Sequence, residues 1–383
     1  MRQKLAFVAN TSWSVYNFRL EVAKHMQSQG CEIYVIAPRD KHSEKLIAEG
    51  FHFINAPIKA YSNNPIIDFR YFLFLFKTYR KHQFSHIFHY TIKPNIYGSI
   101  AAKLAACKNT MVVTGMGRLV TMRSRILMTI TENLYRIGCS CADHTWFLNE
   151  EDKSHFEHQG LVGPGQSSIL PSEGINLDHY SARTNQEEKV STHFLFAGRL
   201  IIEKGIIEYL QAAERVVQHF PLARFEIIGF LDPYDQSSIP SEILFDYQNK
   251  GIIEFYGDRE NVIPYLAKAD CIVLPSYYGE GISRVLLEAA AMKKAIITTN
   301  NLGCKELIND VFNGFVCLAR DVQSLSDQMM SMITLDSEAR KVMGENGRKM
   351  IKEKFDVRKI CWAYEKHIYS QIALNTSEKQ KVI

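Results

Sequence analysis

Long apolar runs are missing from this 383-residue chain. No stretch approaches the roughly 18–20 uninterrupted apolar residues of a membrane-crossing helix. The basic start, Met1-Arg-Gln-Lys4, leads only into a short apolar segment, so no secretory leader is expected. Metal-type cysteine spacing is missing too. The eight cysteines (31, 107, 139, 141, 271, 304, 317 and 361) form no C-x-x-C, and no His/Cys pair has zinc-ligand spacing. They read as small core residues in a reduced cytoplasm. No G-x-G-x-x-G follows Val8 or any other predicted strand, which disfavours a nicotinamide enzyme.

Acids are nearly missing from one long window. Between Arg70 and Arg136 stand eleven Lys or Arg (70, 77, 80, 81, 93, 103, 108, 118, 123, 125, 136) and one acid, Glu132, a local balance of about +10 in a chain of net charge +4. Nucleic acid or an anionic membrane surface is the partner such an asymmetry implies. With no recognition-helix motif and no aromatic RNA-binding signature, nucleic acid ranks last.

What the chain does have is alternation. Short apolar strands are expected at 4–10, 31–38, 51–56, 85–90, 111–114, 144–148 and 168–171, with helices near 17–29, 41–49, 66–82, 94–107, 119–138 and 150–159. Residues 173–192 are polar and without period, a linker. The alternation then restarts, with strands at 194–198, 224–229, 252–256, 271–274, 295–299 and 314–318. Helices fall near 205–219, 239–249, 261–268, 284–292, 303–309, 321–333, 336–354 and 358–373. The expected architecture is α/β: two Rossmann-like, doubly wound domains. The boundaries are 1–175, 190–355, and 356–383 as a final helix packing back on the first domain, with the linker as hinge.

Two stretches could carry chemistry in the second half. Asp270–Pro275 reads as a buried strand, Gly279-Glu280-Gly281-Ile282-Ser283 as a loop, and Arg284–Met292 as a helix carrying Glu288. That puts Glu280 at a strand end, where open α/β sheets bind ligands, and backbone N–H groups of Gly281, Ile282 and Ser283 at a helix start, where anions are favoured. A carboxylate beside such a site suits hydroxyls. Sugar plus phosphate is the chemistry implied. The second stretch, Phe194–Gly198 followed by Arg199 and Lys204 before Gly205, sets two cations beyond another strand end, both suited to phosphate oxygens. The plain alternatives are solvated loop cations for Arg199 and Lys204, and surface carboxylates for Glu280 and Glu288.

Together, Gly198-Arg199-Leu200…Lys204-Gly205, Glu280-x7-Glu288 and Gly303-Cys-Lys-Glu306 resemble the family 4 retaining glycosyltransferases, two-domain enzymes of the GT-B fold with a cleft between the domains. Asn17-Phe-Arg19, His89-Tyr-Thr-Ile-Lys-Pro94-Asn-Ile-Tyr-Gly98 and Val113-Thr-Gly-Met-Gly117 are similar to a bacterial subgroup acting on polyprenyl-diphosphate-linked sugars. The resemblance covers nearly the whole chain. It implies a UDP-sugar donor, a lipid-linked saccharide acceptor, no cofactor and no metal; no D-x-D motif is present. It casts Arg199, Lys204 and Glu280 as the catalytic set. Donor binding falls to Gly198, Gly281, Ile282, Ser283, Arg284 and Glu288, the last on the ribose, with Gly257, Arg259 and Asn261 near the base. Acceptor binding falls to Asn10, Arg19, His89, Thr91, Lys93, Thr114 and Gly115; a lone histidine such as His89 is more often structural than catalytic. Where many members have a Gly-Gly loop after the first strand, this chain has Asn10-Thr-Ser-Trp-Ser14, suited to acceptor contact. The sugar 2-epimerases that share the fold are the alternative, and they would need no basic window.

The aromatic–cation mixtures at 70–81 and 118–130 suit an anionic membrane surface, contacted peripherally from the cytoplasmic side. A core-facing aromatic stripe with a solvated cationic face is the competing reading for 70–81.

Overall fold

The computed structural model describes residues 2–58, 62, 64–116, 125–181, 191–233 and 235–380. Arg118, Arg123 and Gly117 lie outside the described residues, as do residues 182–190 of the expected linker. The chain forms two compact units, residues 1–174 with 357–383, and residues 175–356.

The first unit is built on a seven-stranded parallel sheet: β1 (Lys4–Val8), β2 (Glu32–Ala37), β3 (His52–Asn55), β4 (His86–Tyr90), β5 (Asn109–Val113), β6 (His144–Phe147) and β7 (Ser167–Ile169). Their order is β3-β2-β1-β4-β5-β6-β7. Parallel strands are covered on both faces, which is why β4 and β5 are buried along their full length. The helices are α1 (Ser12–Ser28), α2 (Ser43–Ala48), α3 (Pro65–His82), α4 (Ser99–Leu104), α5 (Arg125–Cys141) and α6 (Glu150–His158). Capping sets their starts: Ser14 N–H donates to Thr11 Oγ1 at 3.1 Å, and Ile66 N–H to Asn64 Oδ1 at 2.9 Å, with Pro65 at the first helical position.

The second unit has six parallel strands: β8 (His193–Arg199), β9 (Arg224–Phe230), β10 (Glu254–Phe255), β11 (Cys271–Leu274), β12 (Ala295–Thr299) and β13 (Gly314–Cys317). The order is β10-β9-β8-β11-β12-β13. Its helices are α7 (Ile206–His219), α8 (Ser241–Asn249), α9 (Ile263–Lys268), α10 (Arg284–Ala291), α11 (Val322–Thr334) and α12 (Ser337–Lys354). The last helix, α13 (Val357–Gln380), belongs to the first unit and packs on α1.

In each sheet the chain leaves the central strand in one direction and later returns on its other side. The switch points lie between β1 and β4 and between β8 and β11. There the connections part, and the carboxyl ends of two neighbouring strands frame a crevice.

Three expected elements differ. The first helix begins at Ser12, not 17, because Thr11 caps it. The expected helix 94–107 opens as a π-helical turn, Pro94–Gly98, before α4. Residues 303–309 form only the single 3-10 turn Lys305–Leu307, since Gly303 takes a left-handed φ of 76°.

Candidate active site

Arg199 ends β8, and Pro275 to Gly281 follow β11, so both loops open on the switch point of the second sheet. Gly198, at φ 148°, has nothing within 4 Å of where a side chain would start, leaving the backbone there open to a ligand. Gly205 turns the chain into α7 with φ 78°; a Cβ there would meet the Pro275 carbonyl oxygen at 2.3 Å. This glycine lets the cation loop sit directly against the loop after β11.

The juxtaposition brings the expected residues together. Lys204 forms an ion pair with Glu280 Oε1, and both side chains are mostly buried. Ser276, fully buried, donates its hydroxyl to the same Oε1 at 3.2 Å. The Arg199 guanidinium lies 5.1 Å from the centre of the Tyr278 ring, and Lys204 lies 5.8 Å from it. Asp235 stands 3.6 Å from Arg199. Burial opposes the charge on Arg199, yet Tyr278, Glu280 and Asp235 outweigh it and raise its pKa. The site is therefore a pair of fixed cations, each steadied by a carboxylate.

Gly303 supports this loop from behind. With φ 76° and a would-be Cβ at 2.7 Å from both Glu280 Cβ and its carbonyl oxygen, it admits no side chain. Ser283 N–H donates to the Gly303 carbonyl at 2.8 Å. That corrects one expectation: of the three backbone amides proposed at this helix start, the one on Ser283 is committed internally. The Ser283 hydroxyl is buried with no partner among the described residues.

Glu288, on α10, accepts through Oε1 from Tyr180 at 2.8 Å and from Arg284 Nε at 2.9 Å. Arg284, expected on the donor, is thus held to its own helix neighbour. Gly257 follows β10 with φ 73°. Arg259 donates to the Tyr265 hydroxyl at 2.7 Å, and Asn261 Oδ1 accepts from Ile263 N–H at 3.1 Å at the start of α9. Both lie exposed on the loop beyond the edge strand. Sequence reasoning missed Ser276, Tyr278, Tyr180 and Asp235. The first two stand beside Glu280 in the chain and were within reach; the other two carry no local signal.

The first unit treats its expected residues unevenly. Thr91, just past β4, holds φ 70° although β-branched, and its buried hydroxyl has no partner among the described residues. Such strain concentrates at functional positions. Thr114 and Gly115 follow the adjacent strand β5, half-buried, with Gly115 at φ 123°. Asn10 is half-buried after β1.

Two residues are corrected. His89 is fully buried: Nε2 lies 3.1 Å from the Tyr79 hydroxyl, and Gly98 packs so tightly that a Cβ there would lie 2.4 Å from the ring. Desolvation lowers its pKa to about 3, keeping it neutral. Arg19 is buried under Tyr90, its guanidinium 4.4 Å from the ring centre, and paired with Glu173. Both fill the core. Lys93 is also internally paired, with Asp68 at 2.7 Å. The loop Asn10–Ser14 uses the first amides of α1 on its own chain: Asp40 accepts from Ser12 N–H and Trp13 N–H, each at 3.1 Å.

Two family models between them match most of the chain. One, described as glycosyl transferase 4-like, covers residues 4–147, and the other, glycosyl transferases group 1, covers residues 181–350. The chain belongs to this glycosyltransferase family. As such it is an enzyme of glycosyl transfer. It is 25% identical over 90% of its length, and 92% of the relative's, to the N,N'-diacetylbacillosaminyl-diphospho-undecaprenol alpha-1,3-N-acetylgalactosaminyltransferase of Campylobacter jejuni. It is 24% identical over 77% of both chains to the UDP-Gal:alpha-D-GlcNAc-diphosphoundecaprenol alpha-1,3-galactosyltransferase of Escherichia coli. Anabaena HepE, solved in complex with UDP-glucose, superposes with a TM-score of 0.78 over 97% of this glycosyltransferase and 100% of HepE at 16% identity, a likeness of GT-B fold. These relatives are transferases, which favours the transferase reading over the sugar-epimerase one.

Proposed function

We propose that this glycosyltransferase moves a hexose or N-acetylhexosamine from a UDP-sugar to a polyprenyl-diphosphate-linked saccharide, with retention, in the biosynthesis of a bacterial surface polysaccharide or glycan. The observation that carries this reading is the clustering of Arg199, Lys204 and Glu280 at the switch point between β8 and β11. The two curated relatives named above, both written as acting on diphospho-undecaprenol-linked sugars, support the acceptor class.

In this reading Arg199 and Lys204 hold the donor diphosphate. As the glycosidic bond breaks, negative charge grows on the leaving UDP, and cations already fixed in place stabilise it without reorganising. That charge needs no metal to offset it. Glu280, at the lip of the cation pair, faces the donor sugar, and Glu288 accepts from the ribose hydroxyls. Gly257 to Asn261 lie near the base. On the acceptor side, Thr91, Thr114, Gly115 and Asn10 remain, all at carboxyl ends of β4, β5 and β1.

The lipid acceptor calls for peripheral contact with the cytoplasmic face of the membrane. Among the described residues no helix is long and apolar enough to cross it. Instead α3 exposes Ile66 and Phe69, and α5 exposes Ile126, Ile130 and Ile137. Both helices pack on α4 and the π-helical turn. Exposed Arg70, Lys77, Arg80, Lys81 and Arg125 lie on the same two helices. Apolar side chains among cations are what an anionic interface binds. Part of the basic window is spent internally, however: Lys93 pairs with Asp68 and Lys108 with Asp143 at 2.8 Å.

The test is transfer from UDP-galactose, UDP-N-acetylgalactosamine, UDP-glucose and UDP-N-acetylglucosamine to undecaprenyl-diphosphate saccharides, read by mass spectrometry. A melting shift with UDP, and a product heavier by one sugar with at least one donor, is expected. Stabilisation by GDP alone would change the donor. Stabilisation by NAD or DNA with neither nucleotide active would overturn the reading.

A further inference from the structure

The carboxylate assigned to the ribose is not held by its own helix alone. Tyr180 reaches it from a turn 108 residues earlier in the chain, donating its hydroxyl to Glu288 Oε1 at 2.8 Å. Arg284 Nε approaches the same oxygen at 2.9 Å and stacks its guanidinium 5.7 Å from the Tyr180 ring centre. With both donors converging on Oε1, Oε2 is left to meet ligand hydroxyls.

The turn that presents Tyr180 is itself anchored. Asn176 Oδ1 accepts from the backbone N–H groups of Asp178 and His179 at 3.0 and 3.1 Å. Arg348, from α12, donates to the Tyr180 carbonyl at 2.9 Å and to that of Leu177 at 3.1 Å. The same Arg348 Nη1 also donates to the Ala291 carbonyl at the end of α10. One guanidinium therefore ties the Tyr180 turn to the helix that carries Glu288. Tyr180 is 9% exposed and Glu288 8%, so water competes little for this hydrogen bond.

We infer that Tyr180 is a positioning residue for donor recognition: its hydroxyl selects the Glu288 rotamer in which Oε2 reads the ribose hydroxyls. The inference rests on Glu288 being the ribose carboxylate. Without the phenol, the carboxylate would be held only by Arg284 on the adjacent turn and would sample other rotamers. Ribose discrimination would then fall while diphosphate binding stayed. Burial and the neighbouring Glu288 charge raise the phenol pKa far above neutrality, so Tyr180 stays a donor throughout the working pH range.

Tyr180→Phe keeps the buried ring and removes only the hydroxyl. Dissociation constants for UDP and for 2′,3′-dideoxy-UDP are measured by calorimetry on wild type, Tyr180→Phe and Glu288→Gln. Tyr180→Phe is expected to weaken UDP about tenfold, the scale of one hydrogen bond to a charged group, and to leave dideoxy-UDP nearly unchanged. Unchanged dideoxy-UDP affinity also shows that the variant is folded. In turnover, KM for the donor should rise by the larger factor and kcat fall by the smaller. If Glu288→Gln removes the UDP preference and Tyr180→Phe keeps it, the positioning role is overturned. Equal losses for both nucleotides in Tyr180→Phe overturn it too, since they indicate a merely structural residue. If Glu288→Gln itself keeps the full UDP preference, the ribose assignment fails.

Discussion

Gly303 stands directly behind Glu280: any Cβ at 303 would lie 2.7 Å from the Glu280 carbonyl oxygen, and its φ of 76° is one that side-chain-bearing residues rarely adopt. The two residues come from different strand-to-helix connections, after β12 and β11. Gly303→Ala should therefore push the Glu280 loop off Lys204. The expected outcome is a fall in kcat of at least about tenfold, one 1.4 kcal/mol step in barrier, with circular dichroism unchanged. Full activity would mean that the loop position is immaterial to turnover.

Removing either cation tests the diphosphate assignment. Arg199→Ala and Lys204→Ala should each lower kcat by on the order of 10²–10³, as loss of one preorganised donor does. Lys204→Ala also strips Glu280 of its partner, so Lys204→Ala with Glu280→Gln should lose less than the two single effects combined. Unchanged turnover in both cation variants would remove the assignment.

The stability of the first unit should depend on acid pH through a histidine group formed by α13 and the strands β4 and β6. His367 lies 5.4 Å from His86 and 5.3 Å from His144, ring centre to ring centre, and its Nε2 is 2.7 Å from Thr110 Oγ1. Burial lowers the pKa of all three, that of His367 to about 4, with His144 adding to the effect and Asp143 opposing it. For a base whose folded pKa is lowered, the unfolded chain takes up the proton first. Stability is then full above about pH 6.5 and falls as pH drops towards 4. The melting temperature should follow this course, and His367→Gln should flatten it. A pH-independent melting curve between 7 and 4.5 would contradict the burial.

Arg19 and His89 should behave as core residues. Arg19→Ala leaves Glu173 without its buried partner and is expected to lower stability by on the order of 3 kcal/mol. The KM for the lipid acceptor in the folded fraction should stay close to wild type. A tenfold rise in that KM without loss of melting temperature would return Arg19 to the acceptor site.

Vesicle flotation tests the interfacial helices. Ile126→Glu and Phe69→Glu change side chains 74% and 58% exposed, so folding should be untouched. Binding to anionic vesicles should fall severalfold, and wild type should bind neutral vesicles more weakly. Equal binding to both vesicle types would remove the electrostatic part of the proposal.

The sequence by itself determined the fold class, because strand and helix periods and their alternation are local properties of the chain. It also placed Arg199 with Lys204, and Glu280 with Glu288, since each pair lies within one short strand-to-helix segment of the chain. Tertiary structure alone decided what lies next to what. That β8 neighbours β11, and so that Lys204 meets Glu280 76 positions away, depends on strand order. The contacts of Tyr180 with Glu288 and of Asp235 with Arg199 leave no periodic trace. Burial of His89 was equally invisible, for a parallel strand covered on both faces gives the same apolar run whichever side its histidine faces. Gly303 replaced an expected helix with a single turn because its backbone had to clear Glu280, a constraint imposed from another part of the chain.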